Sequence, residues 1–174
     1  IIIADGGSTD LTKNIAQKYA AKIVNIAKNI QNAEYNRALG VRLAGNSLVL
    51  FVDHDNVLPH NNWLNDMIYP LLEDDSIVGV ETLRYHYDPR DKLLSRYFSL
   101  MGTGDILPYY LGKDDRLSFI YNSPQGYGCF KHAKVIDMAK YYKVTFSADC
   151  IPTLGANGFL FRKDVLLKLA NSSP

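Results

Sequence analysis

"LVLFVDHDN", residues 48–56, runs an apolar stretch from Leu48 to Val52 straight into Asp53, His54 and Asp55. The apolar stretch predicts a buried strand. Side chains alternate along a strand, so in a continued extended conformation Asp53 and Asp55 share one face and His54 points to the other. Two carboxylates on one face repel each other unless a cation lies between them. A hard divalent cation, Mg²⁺ or Mn²⁺, takes carboxylate oxygens and shares them with substrate phosphates. The same residues also fit a strand-end turn whose aspartates accept from backbone N–H groups.

Working outward, "IIIA" at residues 1–4 is a second apolar run, stopped by the turn "DGGS". A helix capped near Thr9 or Asp10 follows, with Leu11, Ile15 and Tyr19 as its apolar stripe. "KIVNIA" predicts a short strand. A second helix covers residues 33–44, with Tyr35, Leu39 and Leu43 on one stripe. Strand, helix, strand, helix, strand in that order predicts an α/β fold, a mostly parallel sheet flanked by helices. Ligands of such sheets bind beyond the carboxyl ends of the strands, where "DGGSTD" and "DHDN" both fall. The expectation is that these acidic tips of neighbouring parallel strands meet at a common rim. Downstream, "LPHNNWLNDMIYPLLEDD" predicts a helix striped by Trp63, Met67 and Leu71, with Leu64, Ile68 and Leu72 beside it and a bend at Pro70. "SIVGVETL" predicts a strand and "DKLLSRYFSLMG" a helix. The aromatic, Gly- and Pro-containing stretch of residues 105–130 predicts loops with short strands. "TLGANGFLF" predicts a loop and strand, and "RKDVLLKLA" a closing helix.

The 174 residues suggest one domain, and 47% hydrophobic content suffices for a core. A formal net charge of +1 gives no overall field that points to nucleic acid. Cys129 and Cys150 make no CxxC or Cys/His cluster, which argues against zinc and for two reduced thiols. No apolar stretch reaches the roughly 18–20 residues that span a bilayer. The chain opens inside an apolar run with no Met, and is expected to be a piece of a longer protein.

In the first turn, Gly6 and Gly7 let the backbone approach a ligand or take a positive φ. A loop entering a helix presents N–H groups suited to an anion. Asp5 could accept from a nucleobase or ribose, although a tight βα turn with a helix cap explains the same residues. No Gly-Lys-Ser/Thr follows, so this is not a Walker loop. Taken in order, "IIIADGGSTDLT", "AEYNRALGVRLAG", "LVLFVDHDNVLP", "NNWL" and later "LGANGFLFRKDVL" resemble glycosyltransferase family 2. The resemblance implies a Rossmann-like GT-A fold and transfer of a sugar from a nucleotide diphosphate sugar to an acceptor hydroxyl, usually with inversion. By that resemblance Asp5, Gly6, Arg37 and Asp53 bind the nucleotide, and Asp53 and Asp55 hold Mg²⁺ or Mn²⁺. Gly155, Asn157 and Gly158 lie near donor sugar and acceptor. Residues 1–83 become the nucleotide-binding half and 84–174 the acceptor-side half of one partial domain. The implied setting is cell-envelope polysaccharide synthesis on the cytoplasmic side, at the inner face of the membrane, with a glycan, lipid or protein acceptor.

Asn36 precedes Arg37 here, whereas the family usually has Arg before Asn. The family's first strand and its acidic C-terminal segment are not in this sequence. That segment supplies the general base, which is therefore expected beyond Pro174. Two alternatives stay open. One is a non-catalytic nucleotide-binding domain of the same fold. The other is a haloacid dehalogenase-like phosphatase with Asp53 as nucleophile and Asp55 as acid/base, although two βα units precede the strand and "DGGSTD" then has no role.

Among the remaining residues, His60, His86 and His132 suit surface or core roles. Asp114 and Asp115 suit a solvated turn better than a second acidic site. Tyr109, Tyr110, Phe119, Tyr121 and Tyr127 suit either core packing or an acceptor groove. "RYHYDPRDKLLSRYF" has the basic and aromatic character of a membrane-surface contact.

Overall fold

The structure, a computed structural model, describes residues 1–54, 56–104, 106–114, 116–152 and 158–172. In chain order it begins β1 (Ile2–Asp5), α1 (Thr12–Lys18), β2 (Lys22–Asn25), α2 (Ala33–Leu43) and β3 (Leu48–Leu50). There follow α3 (Trp63–Glu73), β4 (Gly79–Val80), α4 (Leu93–Met101) and α5 (Ile106–Tyr110). A 3-10 turn (Gly128–His132) leads into β5 (Lys134–Asp137) and β6 (Tyr142–Thr145), and β7 (Leu160–Arg162) and α6 (Lys163–Ser172) come last. These elements form two compact units, Ile1–Phe51 with Phe161–Pro174, and Val52–Leu160.

The first unit opens as a βαβ motif. β1 and β2 pair in parallel, from Ile2 opposite Lys22 to Asp5 opposite Asn25, and α1 is the crossover that a parallel pair requires. The expected stripe of α1 is not its buried face. Leu11, Ile15 and Tyr19 are 66%, 50% and 72% exposed, and Ala16 is buried instead. A small side chain lets a seven-residue helix sit close to the strands, and the Ala16 carbonyl also accepts from the N–H groups of Tyr19 and Ala21 as the chain turns out. α2 is rotated in the same way. Val41 is buried and Tyr35 exposed, while Asn32 caps the helix by accepting from the Tyr35 N–H at 2.7 Å. β3 pairs with β7, with Phe51 and Phe161 in edge contact at 6.1 Å. The Lys163 ammonium donates to the Ala44 carbonyl at 2.5 Å, placing a cation at the negative end of α2.

The expected mostly parallel sheet is not seen among the described residues. The pairings are small: β1 with β2, β3 with β7, and β5 with β6 antiparallel. β1 and β3 are not hydrogen-bonded neighbours among the described residues. Strands of two to four residues carry few ladder bonds, so the α/β character rests on helices packed over short pairings.

In the second unit, α3 buries the expected Trp63, Met67 and Leu71 and exposes Leu64 and Leu72. Pro70 does not end it. The helix continues to Glu73 with Pro70 itself buried, because one lost ladder bond is outweighed by burial on both sides of it. Beyond α3, the Lys143 ammonium lies 2.5 Å from Asp74 Oδ2 and, with Ser76, holds the Asp74 carboxyl down to about 2. α4 stops at Gly102, whose φ is +75° and whose N–H donates to the Phe98 carbonyl. A Cβ there would lie 2.7–2.8 Å from the backbone at Arg116–Ser118, so both conformation and space demand glycine. That backbone carries the core: Leu117, Tyr127 and Phe130, packed by Leu83, Val135, Val144 and Phe146. The β5–β6 hairpin, with Ala139 in its turn at φ +67°, follows the stretch expected to be loops and is an element not anticipated from the sequence. Cys129 and Cys150 are free thiols 2.7 Å apart, and burial followed by the Cys150 contact pushes Cys129 up to about 11. Among the described residues no helix is long and apolar enough to cross a membrane.

Candidate functional site

The turn after β1 is built around Asp5, which is 3% exposed. Its carboxylate accepts from the Gly7 N–H at 3.0 Å and from the Ser8 N–H at 3.1 Å. The Lys13 ammonium, from the second residue of α1, lies 3.0 Å from Oδ2. Ser8 first, then Lys13, hold the carboxyl well below the ordinary carboxylate range, so the group is ionised at neutral pH. Gly7 supplies the positive φ of the turn, +105°. Gly6 leaves room for the Gln31 side chain, which a Cβ would overlap. Arg37 sits half-buried on α2 beside Asn36, whose Oδ1 is buried with no hydrogen-bond partner among the described residues.

The second candidate lies in the other unit. β3 ends at Leu50, and the Asn56 N–H donates to the Asp53 carbonyl at 3.1 Å, bending the chain. Regular strand alternation therefore ends at Leu50. Asp53 is half-buried and His54 exposed. Asp55, Gly155 and Asn157 lie outside the described residues. Beside this bend opens a cavity of about 440 Å³, walled by Val52, Asn56, Trp63, Arg84, Arg116 and Gly158 among others. Gly158 has a φ of +72°. Arg116 is 3% exposed, pairs with Glu81, and lies 5.5 Å from the ring centres of Tyr85 and Phe159. Burial brings its guanidinium down to about 10, so it stays charged at neutral pH. Arg84 donates to the Tyr121 carbonyl. Two guanidiniums in one wall suit an anionic ligand.

Sequence reasoning missed Arg84, Arg116, His60 and His86 as cavity residues. Their signal was present: "VETLRYHY" and "DDRLSFIY" each set an arginine among apolar residues, half-buried at Arg84 and buried at Arg116, where a charge needs a partner. Asp114 corrects another expectation. It is not solvated but 2% exposed, and Asp115 lies outside the described residues. Among the described residues, no three His, Cys, Asp or Glu side chains gather into a protein-only cage. Cations that serve phosphate chemistry take one or two carboxylates together with substrate oxygens rather than such a cage, so a half-buried Asp53 carboxylate fits Mg²⁺ or Mn²⁺.

Comparison with known proteins bears on the same segments. Residues 88 long in alignment are 32% identical to succinoglycan biosynthesis protein ExoA of Rhizobium meliloti (strain 1021), covering 48% of this chain and 25% of that protein. The chain thus matches about a quarter of the length of that curated relative. No solved structure matches. The family model for glycosyl transferase family 2 matches residues 1–133, taking in the glycine turn, α2, the acidic strand end and the arginine-walled cavity up to Arg116. By that coverage the chain belongs to glycosyl transferase family 2.

Proposed function

We propose that this chain is part of a metal-dependent, inverting glycosyltransferase that uses a nucleotide diphosphate sugar, with a GT-A fold. The observation that carries the reading is the cavity beside "VDHDN", walled by the flanking Val52 and Asn56 together with Arg84 and Arg116. Arg84 and Arg116 attract the diphosphate, and the Trp63 ring walls the cavity. Asp53 and Asp55 hold Mg²⁺ or Mn²⁺, which supplies charge stabilisation for the departing diphosphate. Asp5, ionised and fixed by its own turn, keeps the glycine turn in shape. Gly158, with Gly155 and Asn157, borders the donor sugar. In the reaction the acceptor hydroxyl oxygen bonds to the anomeric carbon as the bond to the diphosphate oxygen breaks, which inverts that carbon. The hydroxyl proton goes to a general base that we assign to no residue of 1–174.

The relative's printed role, succinoglycan biosynthesis, supports polysaccharide synthesis as the setting, on the cytoplasmic side of the membrane with a glycan, lipid or protein acceptor. Helix α4 buries none of its residues and exposes Leu93, Leu94 and Tyr97, which supports a peripheral membrane contact there. Family membership sets the phosphatase alternative aside. The test is a thermal-shift panel of UDP, GDP, dTDP and CDP, each with Mn²⁺ and with chelator. A ligand at a hundredfold excess over its Kd stabilises by about 2.7 kcal/mol, or roughly 5–10 °C for a chain of this size. One nucleotide should give that shift, and Asp53→Ala/Asp55→Ala should abolish it. No shift from any of the four would overturn the proposal.

A further inference from the structure

A second cavity, of about 370 Å³, shares no lining residue with the first. Its volume falls within the about 300–1,000 Å³ of small-molecule sites. Tyr109, Tyr110, Tyr121 and Tyr127 supply its rings, Asp114 a carboxyl, and Lys131 an ammonium. Tyr110 is 77% exposed and Tyr121 is also exposed, so both rings leave surface open to solvent in the cavity wall. The Tyr121 ring lies 4.6 Å from the buried Tyr127 ring, tilted to it by 44°. Gly112 and Gly126, at φ +63° and +82°, form part of the wall, and a Cβ on either would meet no atom within 4 Å.

Asp114 is the feature that folding leaves unexplained. The Tyr127 hydroxyl has one proton to give and lies 3.3 Å from Asp114 Oδ2 and 3.4 Å from the Met101 carbonyl, both long for O–H···O bonds. Asp114 Oδ1 is buried with no hydrogen-bond partner among the described residues. A buried acceptor in that condition favours a ligand that brings hydroxyl donors. The other walls narrow the class. Among the described residues no Leu, Ile, Val or Met lines the cavity, which argues against a lipid chain. The Asp114 carboxyl opposes an anion, and the Lys131 ammonium opposes a cation. What remains is a neutral polyol with an apolar face for the rings and hydroxyls for Asp114 and Lys131.

We propose that this tyrosine-lined cavity is a carbohydrate-binding site for a neutral oligosaccharide, stacked on Tyr110 and Tyr121 and hydrogen-bonded through Asp114. Binding here requires no transfer chemistry, so the claim stands apart from the nucleotide site. The experiment titrates the full chain with cellotetraose, laminaritetraose and, as a cation probe, tetramethylammonium, following saturation-transfer NMR up to about 10 mM, a range that captures millimolar affinities. At least one tetrasaccharide should bind. Tyr110→Ala and Asp114→Asn should each weaken it about five- to tenfold, the range of one stacking ring or one charge-assisted hydrogen bond. Tyr110 is so exposed that its removal should leave the melting temperature unchanged. No tetrasaccharide binding, binding unmoved by both substitutions, or binding of tetramethylammonium alone would each overturn the proposal. The nucleotide thermal shift, run on the same samples, reports the first site independently.

Discussion

Asp5 and Asp114 are buried to the same degree, 3% and 2% exposed, yet they sit in opposite chemical conditions. Asp5 accepts two backbone N–H bonds and faces Lys13, and its carboxyl is held far down. Asp114 has one long contact from Tyr127 and an orphaned oxygen, and burial pushes its carboxyl up. Burial therefore does not decide what a carboxylate does; the donors around it do. A satisfied carboxylate is an anchor for its turn. An unsatisfied one is held in place by the surrounding fold and left with capacity for a ligand.

The largest expected effect breaks the fold on the Asp114 side. Gly102→Ala forces an alanine to φ +75° and into the backbone of Arg116–Ser118. It should cost about 2–3 kcal/mol, read as a fall in melting temperature of roughly 5–10 °C. Next is Asp5→Asn, which removes the charge that Lys13 and two N–H groups share. Its melting temperature should fall by roughly 3–6 °C at pH 7. Because the folded pKa of Asp5 is depressed, this contribution is fully present above the ordinary carboxylate pKa of about 4 and fades as pH drops below it. The gap between parent and variant should narrow in acid.

Asp114→Asn should act in the opposite direction. A raised folded pKa means the native state binds protons more readily than the unfolded chain, so this group's contribution falls as pH rises above about 4. The variant should melt slightly higher than the parent at pH 7, by about 1–3 °C, and equal it near pH 4. A stabilised variant that binds sugar less well marks a ligand site, whereas a loss of stability would mark a structural one. The smallest effect is at the exposed end of α3. In Lys143→Met the Asp74 carboxyl should rise from about 2 toward the ordinary value of about 4, followed by carboxyl-carbon NMR, with little change in melting temperature.

The residue pattern foretold α3 and missed α1 for one reason. Trp63, Met67 and Leu71 are large, so their helical spacing is also their burial. In α1 the large residues at that spacing stay exposed while Ala16 makes the contact, and no hydrophobic stripe reports a small residue's close approach. The β5–β6 hairpin was hidden because its turn uses Ala139 rather than Gly or Asn, the usual markers of a positive φ. Around the site, the strand-end position of Asp5 and Asp53 could be read from the apolar runs before them. That Asp5 spends its oxygens on its own turn could not, since an Asx-type turn and a ligand contact use the same residues. Arg116 and Asp114 were obscure because their environment is assembled from distant segments: Glu81, Tyr85 and Phe159 around Arg116, and Tyr127 beside Asp114.

The central claim is that the acidic strand end and the arginine-walled cavity receive a metal-bound nucleotide diphosphate. Calorimetric titration of the nucleotide that gives the largest thermal shift, with Mn²⁺, with chelator, and against Asp53→Ala, tests it most directly. The account predicts one site per chain, with affinity lost in chelator and in the variant. Equal affinity in all three conditions, or no heat of binding to the folded parent, would contradict it.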